Sequence, residues 1–257
     1  MATRDGRGGH AQTRADATMA AVIFDLDGLL ADTEGLRLAA VARVLHDLRG
    51  VVLPRDAAAA LVGLRTDEIW TQLRARYALT ANVEELEAEH AAVYDPVLRS
   101  QVAAMPGARE IVAALRARSL PLAVATASPR RQVLAVLERL GLHAMIGVVA
   151  AGDEVARGKP APDVYLLACA RLGAKPARCV AVEDSGPGVA AAVAAGLHVV
   201  VVPSPVTAGQ VAAAGATLVL PSLVGAEAPI IDLLRQPSSL SERTHFVERG
   251  CVRGPCR

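Results

Sequence analysis

Asp25 and Asp27 stand in Asp25-Leu26-Asp27-Gly28, directly after the apolar run Ala21 to Phe24. Two carboxylates at i and i+2 past a strand end can serve one site, and Gly28 lets the backbone turn sharply and come close to a ligand. Taken alone, the tetrapeptide is equally well a solvated turn. Thr126 follows the run Leu122 to Ala125 and precedes Ala127, Ser128 and Pro129. A helix opening at Pro129 with Ser128 as its cap is a sufficient structural account, and by itself the better one. Hydroxyls and free amides at a helix start also suit an anion. Lys159 lies in Gly158-Lys159-Pro160-Ala161-Pro162-Asp163, a stiff loop before a helix starting near Pro162. There an ammonium meets an anion with little loss of entropy, in a pairing of about 4 kcal/mol before desolvation at ~4 Å and an effective dielectric near 20. The plain alternative is a surface lysine. Glu183-Asp184-Ser185-Gly186 ends the run Cys179 to Val182. Adjacent acids there repel unless a cation sits between them and the first pair. Gly186-Pro187-Gly188 is no dinucleotide loop: it follows the acids, lacks the third glycine and has no suitable acid afterwards.

Each stretch is weak evidence alone, yet all four fall at the ends of apolar runs or in the loops beyond them. Carboxylates for a hard divalent cation, hydroxyl and amide donors for phosphoryl oxygens, and one fixed ammonium are together the set that phosphoryl transfer requires.

The elements that must position these residues are legible as short apolar runs of strand length: Ala21 to Phe24, Leu122 to Ala125, Gly147 to Ala150, Cys179 to Val182 and His198 to Val202, with Thr217 to Leu220 as a sixth. Helical patterns at Arg130 to Leu140, Pro162 to Leu172 and Gly188 to Ala195 alternate with the later ones, and one more follows at Ala228 to Leu234, which predicts an α/β fold with a doubly wound parallel sheet. The alternation breaks over residues 34 to 104, which read as helix after helix. Leu36, Leu38, Val41, Val44, Leu45 and Leu48 form one periodic segment, and Asp67 to Tyr77 and Val83 to Leu98 form others. A simple crossover needs far fewer residues, so an inserted all-helical cap domain is expected over the carboxyl ends of the strands, as a lid. The expected division is a disordered leader over 1–18, a Rossmann-like core over 19–33 and 104–235, a cap over 34–103 and a disordered tail over 236–257. Met19 stands as an alternative start.

Composition narrows the function classes. The 257 residues are 53% hydrophobic and 21% charged, as for a packed globule. With 27 basic and 26 acidic residues, no basic block and 2% aromatics, nucleic acid is a poor partner. Gly, Pro or charge interrupts every long apolar stretch, and the N-terminus lacks the apolar middle of a secretory signal, so no membrane partner and a cytoplasmic location are expected. Cys169 and Cys179 fall in a helix-like and a strand-like run and read as filler; Cys251 and Cys256 lie in the tail without CxxC spacing.

In the order DLDGLLADTE, VATAS, GKPAPDVY and VEDSGPGVAAAVAAG, the motifs resemble those of the haloacid dehalogenase superfamily of phosphotransferases, in its group with a helical cap after the first strand. The resemblance covers residues 20 to about 235. It implies that Asp25 is the nucleophile that attacks phosphorus. Asp27 is then the acid that protonates the leaving oxygen and later activates water, so Asp25 must stay ionised while Asp27 carries a proton. It implies Mg2+ as cofactor, held by Asp25, the backbone carbonyl of Asp27 and Asp184, with Glu183 a ligand or the support of one. Thr126 and Lys159 look like the phosphate-holding pair, and Gly28, Ser128 and Arg65 complete the expected substrate-binding residues. The dehalogenases that name the family lack the second Asp, so Asp27 argues against dehalogenation. Gly63-Leu64-Arg65-Thr66-Asp67, Ser128-Pro129 and Val201-Val202-Pro203-Ser204-Pro205 look like the 2-deoxyglucose-6-phosphatases, also described as hexitol phosphatases. Beta-phosphoglucomutase shares the catalytic motifs but carries a histidine where Arg37 stands. A phosphatase of a small sugar or sugar-alcohol phosphate is therefore expected, with a sugar phosphomutase as the alternative and a monomer or weak dimer as the state. Arg65 is the candidate for the distal hydroxyls, against an arginine simply fixed at a helix start by Thr66 and Asp67. Trp70 is expected in the core of the cap.

Overall fold

A strand covered by helices on both faces has no solvent side, so it is apolar throughout rather than alternating. In the computed structural model, which describes residues 20–61, 64–205, 207 and 215–235, this holds for Ala21–Phe24 (β1), Leu122–Ala125 (β2), Val148–Ala150 (β3), Cys179–Glu183 (β4) and His198–Val201 (β5), apart from Glu183 at the end of β4 and His198 at the start of β5. With Leu218–Val219 (β6) they form one parallel sheet in the order β3-β2-β1-β4-β5-β6. β1 is central: Ile23 lies opposite Ala123 on one side and Ala181 on the other. Its residues still divide by parity, Val22 and Phe24 joining one apolar core and Ala21 and Ile23 the other. The expected doubly wound sheet is thus observed. Gly147 and Val202 fall just outside their strands, and Glu183 joins β4. The expected leader, Met19, Gly63 and the tail with Cys251 and Cys256 lie outside the described residues.

Between β1 and β2 the chain forms Glu34–Arg49 (α1), Arg55–Ala59 (α2), Thr66–Tyr77 (α3), Val83–Gln101 (α4) and Ala108–Ala117 (α5). Helices α1, α3 and α4 bury an apolar core of their own, with Val41, Leu45, Ile69, Trp70, Leu73 and Leu86 at its heart, so the insertion is an all-helical cap. Trp70 is fully buried there, which makes it core and not a sugar platform. Asn82 and Glu85 close a reciprocal capping box at the start of α4. The two chain passages into and out of the cap are bonded to each other: Asp32 N donates to Ala103 O at 2.9 Å and Met105 N to Leu30 O at 3.0 Å. Asp95 of α4 also accepts from Arg131 and from Gln132 on the core, the latter at 2.8 Å. Two α-helices among the described residues are absent from the sequence reading. α2 is too short to show a period, whereas α5 carries a readable stripe of Ala108, Ile111, Val112 and Leu115.

The remaining helices are Arg130–Arg139 (α6), Asp163–Leu172 (α7), Gly186–Ala194 (α8) and Glu227–Arg235 (α9). α8 begins two residues before the expected Gly188, because Ser185 Oγ accepts the Gly188 amide at 3.2 Å and Pro187 fits the first turn. Cys169 and Cys179 are both free and buried, in keeping with filler. Among the described residues no helix is long and apolar enough to cross a membrane.

The cap core contains one group that ties stability to pH. His90 of α4 is buried, stacked on Tyr94 with ring centroids 5.1 Å apart and edge-on to Trp70 at 6.1 Å. Burial, and after it the charge of Arg37, lower its pKa from 6.5 to about 4. Between those values the unfolded chain binds the proton and the folded one does not, so this contribution is whole above the unfolded pKa and is lost as pH falls towards the folded one. At about 1.4 kcal/mol per pH unit the loss is on the order of 3 kcal/mol. Urea unfolding across mildly acid pH is expected to show a smaller acid-induced loss in His90→Gln than in the wild type. Parallel losses in the two proteins would remove His90 as the cause.

Candidate active site

Parallel strands end on the same edge of a sheet, so the polar residues that follow β1, β2 and β4 meet although they are far apart in the chain. The Asp25 amide continues the ladder, donating to Val182 O at 2.9 Å, and this fixes its carboxylate at the carboxyl end of β1. Lys159 is no surface lysine. It is 3% exposed, with Nζ 2.6 Å from Asp25 Oδ1 and 2.5 Å from Glu183 Oε1, and it lies over the ring of Tyr165. Burial works against its charge, but Asp25 and Glu183 outweigh burial and hold its pKa above the ordinary value.

Glu183 is fully engaged. Oε1 also accepts from Tyr165 OH at 2.6 Å, and Oε2 accepts the amides of Asp184 and Ser185 and the Ser185 hydroxyl at the start of α8. Any Cβ at Gly188 would collide with this carboxylate. Asp184 is placed otherwise: among the described residues Oδ1 is buried without a partner, and Oδ2 accepts from the Thr207 hydroxyl at 3.5 Å, with the Ser204 side chain also bonding the carboxylate. Gly28, at φ +82, lies against Asp184 so closely that a Cβ there would strike Oδ2. The close approach expected of Gly28 is therefore to a site carboxylate.

One oxygen from each of Asp25, Glu183 and Asp184 falls within 4.8 Å of the others. Burial raises Asp25 well above the usual carboxylate range, Lys159 opposes it, and Glu183 and Asp184 add to it. Burial and then Glu183 push Asp184 up to about 8. An all-oxygen set crowded this way, with one orphaned oxygen, fits a hard divalent cation. Asp25 and Asp184 are the side chains able to hold it. Glu183 would have to release Lys159, Tyr165 or the α8 amides to join them.

Asp27 is held by three hydroxyls. Thr33 Oγ1 donates to Oδ1 at 2.6 Å, and Thr126 Oγ1 and Ser128 Oγ donate to Oδ2 at 2.9 and 2.8 Å. The expectation that Ser128 caps a helix is corrected here. α6 starts at Arg130 with Pro129 before it, and the Arg130 amide goes to Asp153 Oδ1 at 2.9 Å. β1 and β2 are neighbours, so Asp27 is the acceptor nearest both hydroxyls, and Asp153 is left to take the helix amide.

Arg65 stands at the N-cap of α3, where Glu68, not Thr66 or Asp67, accepts its amide at 3.0 Å. Its guanidinium crosses to the core, donating to Val155 O at 3.2 Å and pairing with Asp67 at 3.0 Å, and its stem covers Gly158. It thus seals the seam beside the Lys159 loop and is not among the residues lining the cavity at Asp25. That cavity, about 10 Å³, is lined by Asp25, Asp27, Thr126, Ser128 and Lys159, and also by Glu34, Arg37, Leu64 and Ser185. Glu34 and Arg37 escaped the sequence reading as site residues. The available signal was the Asp-Thr-Glu that ends the first motif, which starts α1 within a few residues of Asp27.

Comparison with known proteins accords with this geometry. Residues 22–202 match the family described as haloacid dehalogenase-like hydrolase. A phosphorylated carbohydrates phosphatase of Thermotoga maritima is 35% identical over 184 residues, covering 70% of this chain and 83% of that protein. Hexitol phosphatase B of Escherichia coli is 34% identical over 188 residues, covering 72% and 84%. The crystal structure of CbbY from Rhodobacter sphaeroides in complex with phosphate superposes with a TM-score of 0.76 at 28% identity, covering 83% of this chain and 99% of that one.

Proposed function

Because the chain belongs to the haloacid dehalogenase-like hydrolase family, we propose that it is a magnesium-dependent phosphomonoesterase that hydrolyses a small sugar or sugar-alcohol phosphate through a phosphoaspartate on Asp25. Carrying the proposal is the contrast between two neighbouring carboxylates. Asp25 sits against an ammonium at 2.6 Å, whereas Asp27 sits among three hydroxyls. An adjacent cation favours the ionised form, as a nucleophile needs, and hydroxyls hold an acid–base group in one orientation.

In the proposed reaction an oxygen of Asp25 bonds to phosphorus as the ester P–O bond breaks, and the leaving oxygen takes the proton of Asp27. Asp27, now ionised, takes a proton from water as the water oxygen attacks the aspartyl phosphate. The P–O bond to Asp25 breaks, phosphate leaves, and both carboxyls are restored. Lys159 favours the ionised form of Asp25 against the effect of burial and balances charge. Asp25, the Asp27 carbonyl and Asp184 would hold magnesium, which supplies positive charge against the phosphoryl oxygens. Residues 34–103 act as the lid. A cavity of about 10 Å³ has room for no more than a water, so α1–α4 must swing away for the substrate to enter, about the passages paired at Ala31 and Ala104.

Phosphate release across hexose, pentose, hexitol and short-chain phosphates tests this reading. Release is expected from sugar or hexitol phosphates, stopping on chelation and returning with added Mg2+. An isomerised sugar phosphate with no free phosphate would replace the hydrolase with a phosphomutase.

A further inference from the structure

Arg37, on the first turn of α1, is 5% exposed and lines the cavity that holds Asp25 and Asp27. A guanidinium has five N–H groups in a fixed fork, so its partners can be assigned one by one. Nη2 donates to both oxygens of Glu34, at 2.7 and 2.6 Å. Nη1 donates to the Leu64 carbonyl at 2.9 Å. Nε is buried and has no acceptor among the described residues. Tying α1 to the loop at Leu64 uses Nη1 and Nη2 and leaves Nε unexplained, although a buried donor without an acceptor is disfavoured. An acceptor brought in by a ligand would satisfy Nε.

The charge around the cavity decides what kind of acceptor that is. Glu34 is 2% exposed and forks onto Arg37, so the pair is neutral as a unit. Asp25, Asp27 and Lys159 line the same cavity, with Glu183 and Asp184 close to Asp25, so the acids outnumber the one ammonium paired with them. A second phosphate or a carboxylate brought to Arg37 would meet these acids as well as the guanidinium. A neutral oxygen would meet only the donor. We propose that Arg37, locked by Glu34, is a specificity-determining residue that donates from Nε to a hydroxyl or carbonyl oxygen of the substrate's carbon skeleton. The preferred substrate is then a polyhydroxylated monophosphate with no second anionic group. The inference rests on the phosphatase reading above and narrows it.

The test uses the full chain with Mg2+ and three esters: a hexitol phosphate, hexyl phosphate with the same carbon count and no hydroxyls, and a hexose bisphosphate. kcat/KM is compared for the wild type, Arg37→Met, and the double variant Glu34→Gln/Arg37→Met, which leaves no stranded buried charge if the single variant fails to fold. The wild type is expected to favour the hexitol phosphate over both other esters. Its preference over hexyl phosphate should fall about tenfold or more in the variants, the loss expected for one hydrogen bond to a charged donor. A purely structural arginine would lower both esters alike. An undiminished preference in the variants, or a wild type that prefers hexyl phosphate or the bisphosphate, overturns this inference while the phosphatase reading stands. Wild-type protein that releases phosphate from none of the three overturns both.

Discussion

Asp25→Asn is expected to stay folded and to release phosphate at least about a thousandfold more slowly than the wild type, the order of loss when a covalent nucleophile is removed. An amide has nearly the shape of the carboxylate, but its oxygen is too weak a nucleophile to form the acyl phosphate. Folding should survive because Asp25 is held at a cost. Burial raises its pKa well above the usual range despite Lys159, with Glu183 and Asp184 adding to the effect, so its ionised form opposes folding at neutral pH. Asparagine removes that opposition, and Lys159 keeps Glu183 at 2.5 Å. A Tm within a few degrees of the wild type, together with lost turnover, would place the defect in the chemistry. Turnover within tenfold of the wild type would mean that Asp25 is not the nucleophile.

Lys159→Met is expected to damage stability as well as rate. The ammonium is the buried cation between Asp25 and Glu183, and Asp184 completes the acidic group. Removing one partner of a buried ion pair costs about 3–5 kcal/mol, because the remaining charge is left without compensation. Denaturant unfolding without metal should show a loss of that order, and saturating Mg2+ should recover part of it by binding only the folded state. Phosphate release should fall about a hundredfold or more, since the proposed reaction loses a fixed charge facing the developing anion. Unchanged stability in the metal-free variant would contradict the central position of Lys159 among these acids.

Residue type and local pattern were enough to pick out much of this protein. The apolar runs that became β1 to β5 could be read because a strand buried on both faces admits almost nothing else. Asp25, Asp27, Thr126, Lys159, Glu183 and Asp184 stood out because each polar group follows such a run or lies in a stiff loop. In a parallel sheet this alone brings them to one edge. The helical cap was legible because some seventy residues without strand alternation exceed what a crossover needs.

Tertiary structure alone decided the partner of each side chain. Ser128 has the sequence context of a helix cap, yet its hydroxyl turns to Asp27, 101 residues away, because β1 and β2 pair side by side. Lys159 reads locally as a surface residue and becomes buried by meeting Asp25 across a separation of 134 residues. Glu183 and Asp184 are neighbours in the chain, but the start of α8 satisfies the first, while Oδ1 of the second has no partner among the described residues. Arg65 goes to the seam, and Arg37, which the sequence marked only as a departure from a relative, goes to the cavity wall. Hydrogen bonds and ion pairs act over about 3 Å. Sequence pattern fixes which edge of the sheet a side chain reaches, and only the packing of distant segments fixes which atom it meets there.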